Sequence, residues 1–301
     1  MDWTPGGESQ DIEDRRGDSG SGGGYGFGGG GGFGGIHLGI GGTLLLLILS
    51  LVFKTNLFNF AGGGGGGYVA APARAPVNPG TDQSRTPAEH REMQLVSFVL
   101  DDVQHTWDRI LPQQAQRNYR HAKLVLFRDE YPSACGQAET AVGPFYCPGD
   151  EKVYLDLAFF DELKSRFGAP GEFAQAYVIA HEIGHHVQKI IGIESRVRQL
   201  QQQNPSAENH LSVGLELQAD CFAGVWGNTA QQRGIIHPDD VAAGLNAAAA
   251  VGDDRLQRQA GRRVNPETFT HGSSADRQKW FRAGLDSGNI SACNTFANRR
   301  P

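Results

Sequence analysis

The run Ala176–Gln188 reads Ala-Tyr-Val-Ile-Ala-His-Glu-Ile-Gly-His-His-Val-Gln, and the rest of the chain is organised around it. His181, Glu182 and His185 spell H-E-x-x-H. Residues four apart stack on one face of a helix, so two imidazoles can point at one metal ion. Glu182 follows the first histidine, where its carboxylate can reach a water on that metal. Two nitrogen ligands beside a general base are the donor pattern of a zinc protease. Phe173, Tyr177, Val178, Ile179, Ile183, Val187 and Ile190 give the helix an apolar surround, with Gly171-Glu172 as its start and Gly192 as its stop.

A histidine pair on an ordinary helix is the competing reading, and what decides between them is a third ligand. Leu215-Glu-Leu-Gln-Ala-Asp-Cys-Phe-Ala-Gly-Val-Trp226 offers one. A catalytic zinc takes three protein ligands and keeps one position open. A further histidine at metzincin spacing would fall on Ile191, so that class is excluded. Glu216 is the expected third ligand, with His210 and Glu194 as rivals. Asp220 lies four residues beyond Glu216 on the same face and is expected to accept the second ring N–H of a ligand histidine. Apolar neighbours surround both acids, and buried carboxylates need partners.

H-E-x-x-H followed by a helix bearing E-x-x-A-D resembles gluzincin metallopeptidases. The chain more closely resembles the bacterial putative neutral zinc metallopeptidase family. The matching runs are Asp11–Gly17, Gly143–Leu155, Ala180–Gln188, Glu216–Trp226 and Thr270–Gly288. The resemblance implies a membrane-anchored zincin domain with Zn2+ as cofactor. It implies no particular substrate.

Composition divides the chain into four parts. Residues 1–35 are Gly- and Ser-rich with scattered Tyr and Phe, and read as a disordered tail. Residues 36–60 carry no formal charge before Lys54, and about 20 apolar residues suffice to cross a bilayer, so this stretch reads as one transmembrane anchor. The basic residues divide between its sides, Arg15 and Arg16 before and Lys54 after, so the positive-inside signal is split. Residues 61–85 are a Gly/Pro-rich linker, and 86–301 form the catalytic domain. The expected fold class is α+β: a mostly helical zincin-like domain with a small sheet. Helices are expected over Ala88–Ile110, Asp156–Phe167 and Asp239–Val251, with strands over Lys123–Phe127 and Lys152–Leu155. The stretch from Cys135 to Cys147 reads as a turn-rich loop. A net charge of -6 argues against a nucleic-acid partner.

Toward the C-terminus, His271 lies in a loop before a helix that Ser274 would cap. His271 is a candidate donor to the oxyanion of a tetrahedral intermediate, with Tyr146 and Tyr154 as alternatives. Ordering the loop through backbone hydrogen bonds is its other possible role. Arg277 reads as structural and His186 as a packing residue turned away from the metal. The four cysteines, Cys135, Cys147, Cys221 and Cys293, form no C-x-x-C pair. An even count suits an oxidising compartment. Of three connectivities, Cys135–Cys147 and Cys221–Cys293 are expected; free thiols in a cytoplasmic domain are the alternative. The sequence thus points to a single-pass protein of the cytoplasmic membrane, with its N-terminus inside and its catalytic domain outside. It would cleave peptides or proteins, with Glu182 as general base and zinc on His181, His185 and Glu216. A non-enzymatic membrane scaffold and a zinc hydrolase of non-peptide amides are the rival readings. Oligomeric state is not legible.

Overall fold

The computed structural model describes residues 1–18, 86–140 and 143–297. The proposed anchor at 36–60 and linker at 61–85 lie outside these residues. Among the described residues no helix is long and apolar enough to cross a membrane.

The architecture is α+β and mostly helical, as expected. One sheet has the strand order β1-β2-β6-β5, built from β1 (Ile12–Asp14), β2 (Lys123–Phe127), β6 (Lys152–Asp156) and β5 (Phe145–Cys147). β1 and β6 run parallel to β2, and β5 runs antiparallel to β6 at the far edge. A separate hairpin pairs β3 (Glu130–Ser133) with β4 (Gly136–Glu139). The region expected to be a loop between Cys135 and Cys147 therefore holds two strands. Each is too short to show alternation.

The reading of residues 1–35 as a disordered tail is corrected for residues 1–18, which fold onto the domain. Ile12–Asp14 adds a strand to the sheet, and Ser9 is buried. Nothing local predicts this, because the partner strand lies more than a hundred residues away.

Helix α1 (Pro87–Ala115) starts at a reciprocal cap, in which Thr86 accepts from the Glu89 N–H and Glu89 accepts from the Thr86 N–H. It runs past the expected end at Ile110, through Pro112, and stops at Gln116 in left-handed conformation. After the short α2 (Ala158–Ser165) comes α3 (Glu172–Ile190), the H-E-x-x-H helix, buried along most of its length. α4 (Ile193–Gln203) leads to the long α5 (Glu208–Gln232), then α6 (Pro238–Ala250), α7 (Asp253–Gln259) and α8 (Ser274–Ser287). Ser273, not Ser274, caps α8 by accepting from the Asp276 N–H.

Two close helix contacts set the geometry of the site. A Cβ on Gly184 would lie 3.0 Å from the Ala219 carbonyl, so the glycine inside H-E-I-G-H lets α5 approach α3 closely. Gly224 and Gly284 do the same for α5 and α8: a Cβ on either would collide with the other helix's backbone. These contacts bring residues 216–220 and Arg277 up to the histidine face. Trp107, Trp226, Phe173, Phe222 and Phe281 fill the core behind it.

Candidate metal centre

His181 and His185 project from one face of α3, and their Nε2 atoms both meet the Glu216 carboxylate. His181 Nε2 lies 3.3 Å from Oε2 and His185 Nε2 lies 3.4 Å from Oε1. The three ligand atoms all fall within 4.8 Å of one another. Donors about 2.1 Å from a tetrahedral zinc stand roughly 3.4 Å apart. The protein separations match that edge, and two imidazoles with a carboxylate are a donor set zinc takes. Among the described residues no further histidine, cysteine, aspartate or glutamate joins the group. His181 is buried, while the His185 and Glu216 side chains are each about a fifth exposed, so the centre opens to solvent on their side.

The other ring nitrogen of each histidine is held. His181 Nδ1–H donates to Asp220 Oδ1 at 2.9 Å, as the sequence anticipated. His185 Nδ1–H donates to Gln188 Oε1 at 2.9 Å. Gln188 is itself oriented, donating to the Leu215 carbonyl at 2.7 Å and to Gln218 Oε1 at 3.1 Å. In the neutral, metal-binding form of each ring these bonds would leave Nε2 as the lone-pair nitrogen on the Glu216 side.

Asp220 is fully buried yet surrounded by donors. Arg277 grips it through Nε to Oδ2 at 2.8 Å and Nη2 to Oδ1 at 2.9 Å, and the Tyr177 hydroxyl bonds to Oδ1. Burial opposes its charge, but Arg277 and His181 prevail and hold its carboxyl below the usual range. Glu216 behaves alike: burial is outweighed by His185, His271 and His181, which keep it well below the carboxylate range. His181 is likewise disfavoured as a cation by burial, but Asp220 and Glu216 raise it to about 10. A metal must therefore displace a proton there.

Glu182 is 7 % exposed and lies within reach of the charges of His181, His185 and Glu216. Burial raises its carboxyl, opposed by His181 and His185 and by the Tyr146 backbone N–H of β5. The edge strand and the metal helix thus meet at the expected general base.

His271 reaches the site from the loop before α8. Asp253 at the start of α7 organises that loop: its Oδ2 accepts the backbone N–H groups of Thr270, His271 and Gly272 at 2.7, 2.7 and 2.9 Å. Its Oδ1 lies 3.3 Å from His271 Nδ1, which also meets Thr270 Oγ1 at 3.0 Å. Burial lowers the His271 pKa, but the charges of Glu216 and Asp253 raise it overall. The alternatives to His271 are otherwise engaged. Tyr146 donates to His186 Nδ1 at 2.9 Å, and Tyr154 donates to Asp150 at 2.8 Å. His186 also donates from Nε2 to the Arg120 carbonyl at 2.8 Å and is not a ligand. Glu194 pairs with Arg198 on its own helix α4 and with Lys189 at the end of α3, and neither it nor His210 belongs to the cluster.

Both cysteine pairs form as expected, Cys135–Cys147 and Cys221–Cys293. Cys221, the nearest sulfur along α5, is therefore not a thiolate ligand. Three supporting residues escaped the sequence reading. Gln188 is three residues from His185 on the same helix, and that spacing was the available signal. Arg277, expected to be structural, grips Asp220, and Asp253 anchors the His271 loop. Both partnerships join distant elements and leave no local pattern.

A family model described as "Putative neutral zinc metallopeptidase" matches residues 1–296. The uncharacterized protein YpfJ of Escherichia coli strain K12 is 46% identical over 299 residues, covering 98% of this chain and 99% of that protein. The uncharacterized protein Rv2575 of Mycobacterium tuberculosis strain H37Rv is 42% identical over 236 residues, covering 73% of this chain and 78% of its own. No solved structure matches.

Proposed function

The chain belongs to the putative neutral zinc metallopeptidase family, and on that premise we propose that it hydrolyses peptide bonds in peptides or proteins. The observation that carries the reading is the convergence of His181 Nε2, His185 Nε2 and Glu216 at zinc-ligand separations, with Glu182 buried beside them. His181, His185 and Glu216 would hold the ion, with Asp220 and Gln188 fixing the two tautomers. Zinc bound there would polarise a carbonyl and lower the pKa of a water. Glu182 takes the proton from the attacking water and passes it to the leaving amine. Its burial suits this: a carboxylate raised above its ordinary range is a better base for that proton. His271, held at Nδ1 by Asp253 and favoured as the imidazolium by the charges of Glu216 and Asp253, would offer Nε2–H to the oxygen on which negative charge develops.

The structural-zinc scaffold draws less support. Such sites are closed by a fourth protein ligand, commonly cysteine. Here Cys221 is in a disulfide, and the cluster has three members among the described residues. Metal analysis of the purified protein, with a broad peptide-cleavage screen run with and without chelator, tests the proposal. One zinc per chain and chelator-sensitive cleavage are expected. One zinc with no cleavage favours the scaffold, and turnover confined to non-peptide amides favours the alternative hydrolase.

The membrane assignment belongs to the same proposal. The apolar stretch 36–60 is its basis, and the two disulfides favour an oxidising, extracytoplasmic location.

A further inference from the structure

β1 precedes the apolar stretch 36–60 and β2 follows it, yet the two pair in one sheet. Ile12 is in register with Leu124, Glu13 with Val125 and Asp14 with Leu126. Side chains reinforce the pairing. Lys152 on β6 binds Glu13 at 2.8 Å, and Asp11 is held by His121 at 2.6 Å, Lys123 at 2.7 Å and the Gln104 amide at 2.9 Å. Further back, the Asp2 N–H donates to the Ile235 carbonyl at 2.7 Å, and the Trp3 indole donates to Glu172 at 2.9 Å. The segment 1–18 therefore runs from the sheet edge to the first residue of the H-E-x-x-H helix.

The two ends of the intervening chain are tied to one another through β2 and Arg128 just beyond it. Asp18 closes a turn on Arg15. The Arg15 N–H donates to the Leu126 carbonyl at 2.7 Å, and Glu89 belongs to the cap that Thr86 forms on α1. Arg128, just past β2, binds the same Glu89 at 2.7 Å.

A chain that crossed a bilayer once between Asp18 and Thr86 would leave β1 and β2 on opposite sides, where they cannot share hydrogen bonds. Two crossings need roughly 40 apolar residues, and the stretch 36–60 supplies only about 25 positions. We infer that the described parts of the chain share one face of the membrane. Residues 1–18 and 86–297 then lie on one side of the bilayer, and the corner carrying Asp18 and Thr86 faces the lipid. This rests on the membrane attachment argued above and replaces the single crossing expected from hydropathy.

The test uses the full chain in right-side-out and inside-out membrane vesicles. Gly6→Cys and Arg263→Cys, both at exposed positions, are introduced singly and treated with a membrane-impermeant maleimide. Both are expected to react in the same vesicle preparation; reaction of one in each preparation overturns the inference. A fifth cysteine can disturb disulfide pairing, so a second measurement uses the unaltered chain. Carbodiimide treatment of carbonate-washed open membranes should join Glu13 to Lys152 through an amide, with the reagent taking up the water lost. Mass spectrometry should then find that linked peptide pair. Its absence, while the control link between Lys189 and Glu194 on adjoining helices forms, also overturns the inference. Complete release of the chain by carbonate removes the membrane attachment and this inference with it, and leaves the peptidase reading standing.

Discussion

Arg277 grips Asp220 through both arms of its fork, at 2.8 and 2.9 Å, with both residues buried. The carboxylate thus placed receives the His181 ring N–H at 2.9 Å. A helix from the C-terminal region therefore sets how a ligand histidine presents its lone pair.

Asp220→Ala should lower zinc affinity by roughly 10–100-fold, the usual effect of losing a carboxylate that orients a ligand histidine. Gln188→Leu, which keeps the volume but not the acceptor for His185, should act in the same direction. A competition titration against a chromophoric chelator reads both. Unchanged affinity in Asp220→Ala would make this acid merely structural.

His271→Ala should lower kcat by about 10²–10³-fold while zinc content stays at one per chain, because the donor acts on charge that appears only in the transition state. A loss confined to KM would place His271 in ground-state binding, and no loss would leave it ordering the loop.

His186 gives the stability of the domain a pH dependence. Burial outweighs its bond to the Arg120 carbonyl, keeps it neutral and pushes its pKa down to about 4 from an ordinary 6.5. Its stabilising contribution is complete above pH 6.5 and is lost as pH falls toward 4. At about 1.4 kcal/mol per unit, wild type should lose roughly 2–3 kcal/mol more than His186→Gln between pH 7.5 and pH 4.5. Urea unfolding at the two pH values measures the difference, and equal losses would contradict it.

The parts of the site legible in the sequence are those governed by helical spacing. His181 and His185, and likewise Glu216 and Asp220, are separated by four residues within strongly apolar runs, which fixes a shared face before any tertiary contact is known. The strand Ile12–Asp14 was not legible. It has three residues, carries two acids and pairs across more than a hundred positions. Arg277 and Asp253 were hidden for a related reason: each acts on a residue of a distant element, and a buried arginine in a helix looks like any other until its partner is placed. The strands between Cys135 and Cys147 fell below the length at which alternation can be read.

The Cys221–Cys293 bridge spans 72 residues and Cys135–Cys147 spans 12. In the chain-entropy account these loops correspond to about 4 and about 3 kcal/mol. Replacing the first pair by serine should cost the larger share of stability and also weaken zinc binding, because Cys221 follows Asp220 directly. Mass mapping of non-reduced peptides should recover these two bridges. Four alkylatable thiols would contradict both the pairing and the extracytoplasmic location.

The most direct test of the account is Glu182→Gln. The substitution preserves shape and both histidine ligands but removes the base. Purified side by side, wild type and variant should each carry one zinc per chain. Wild type should cleave a peptide library in a chelator-sensitive manner, while the variant should show no turnover above background. Cleavage by the variant at the wild-type rate would contradict the mechanism.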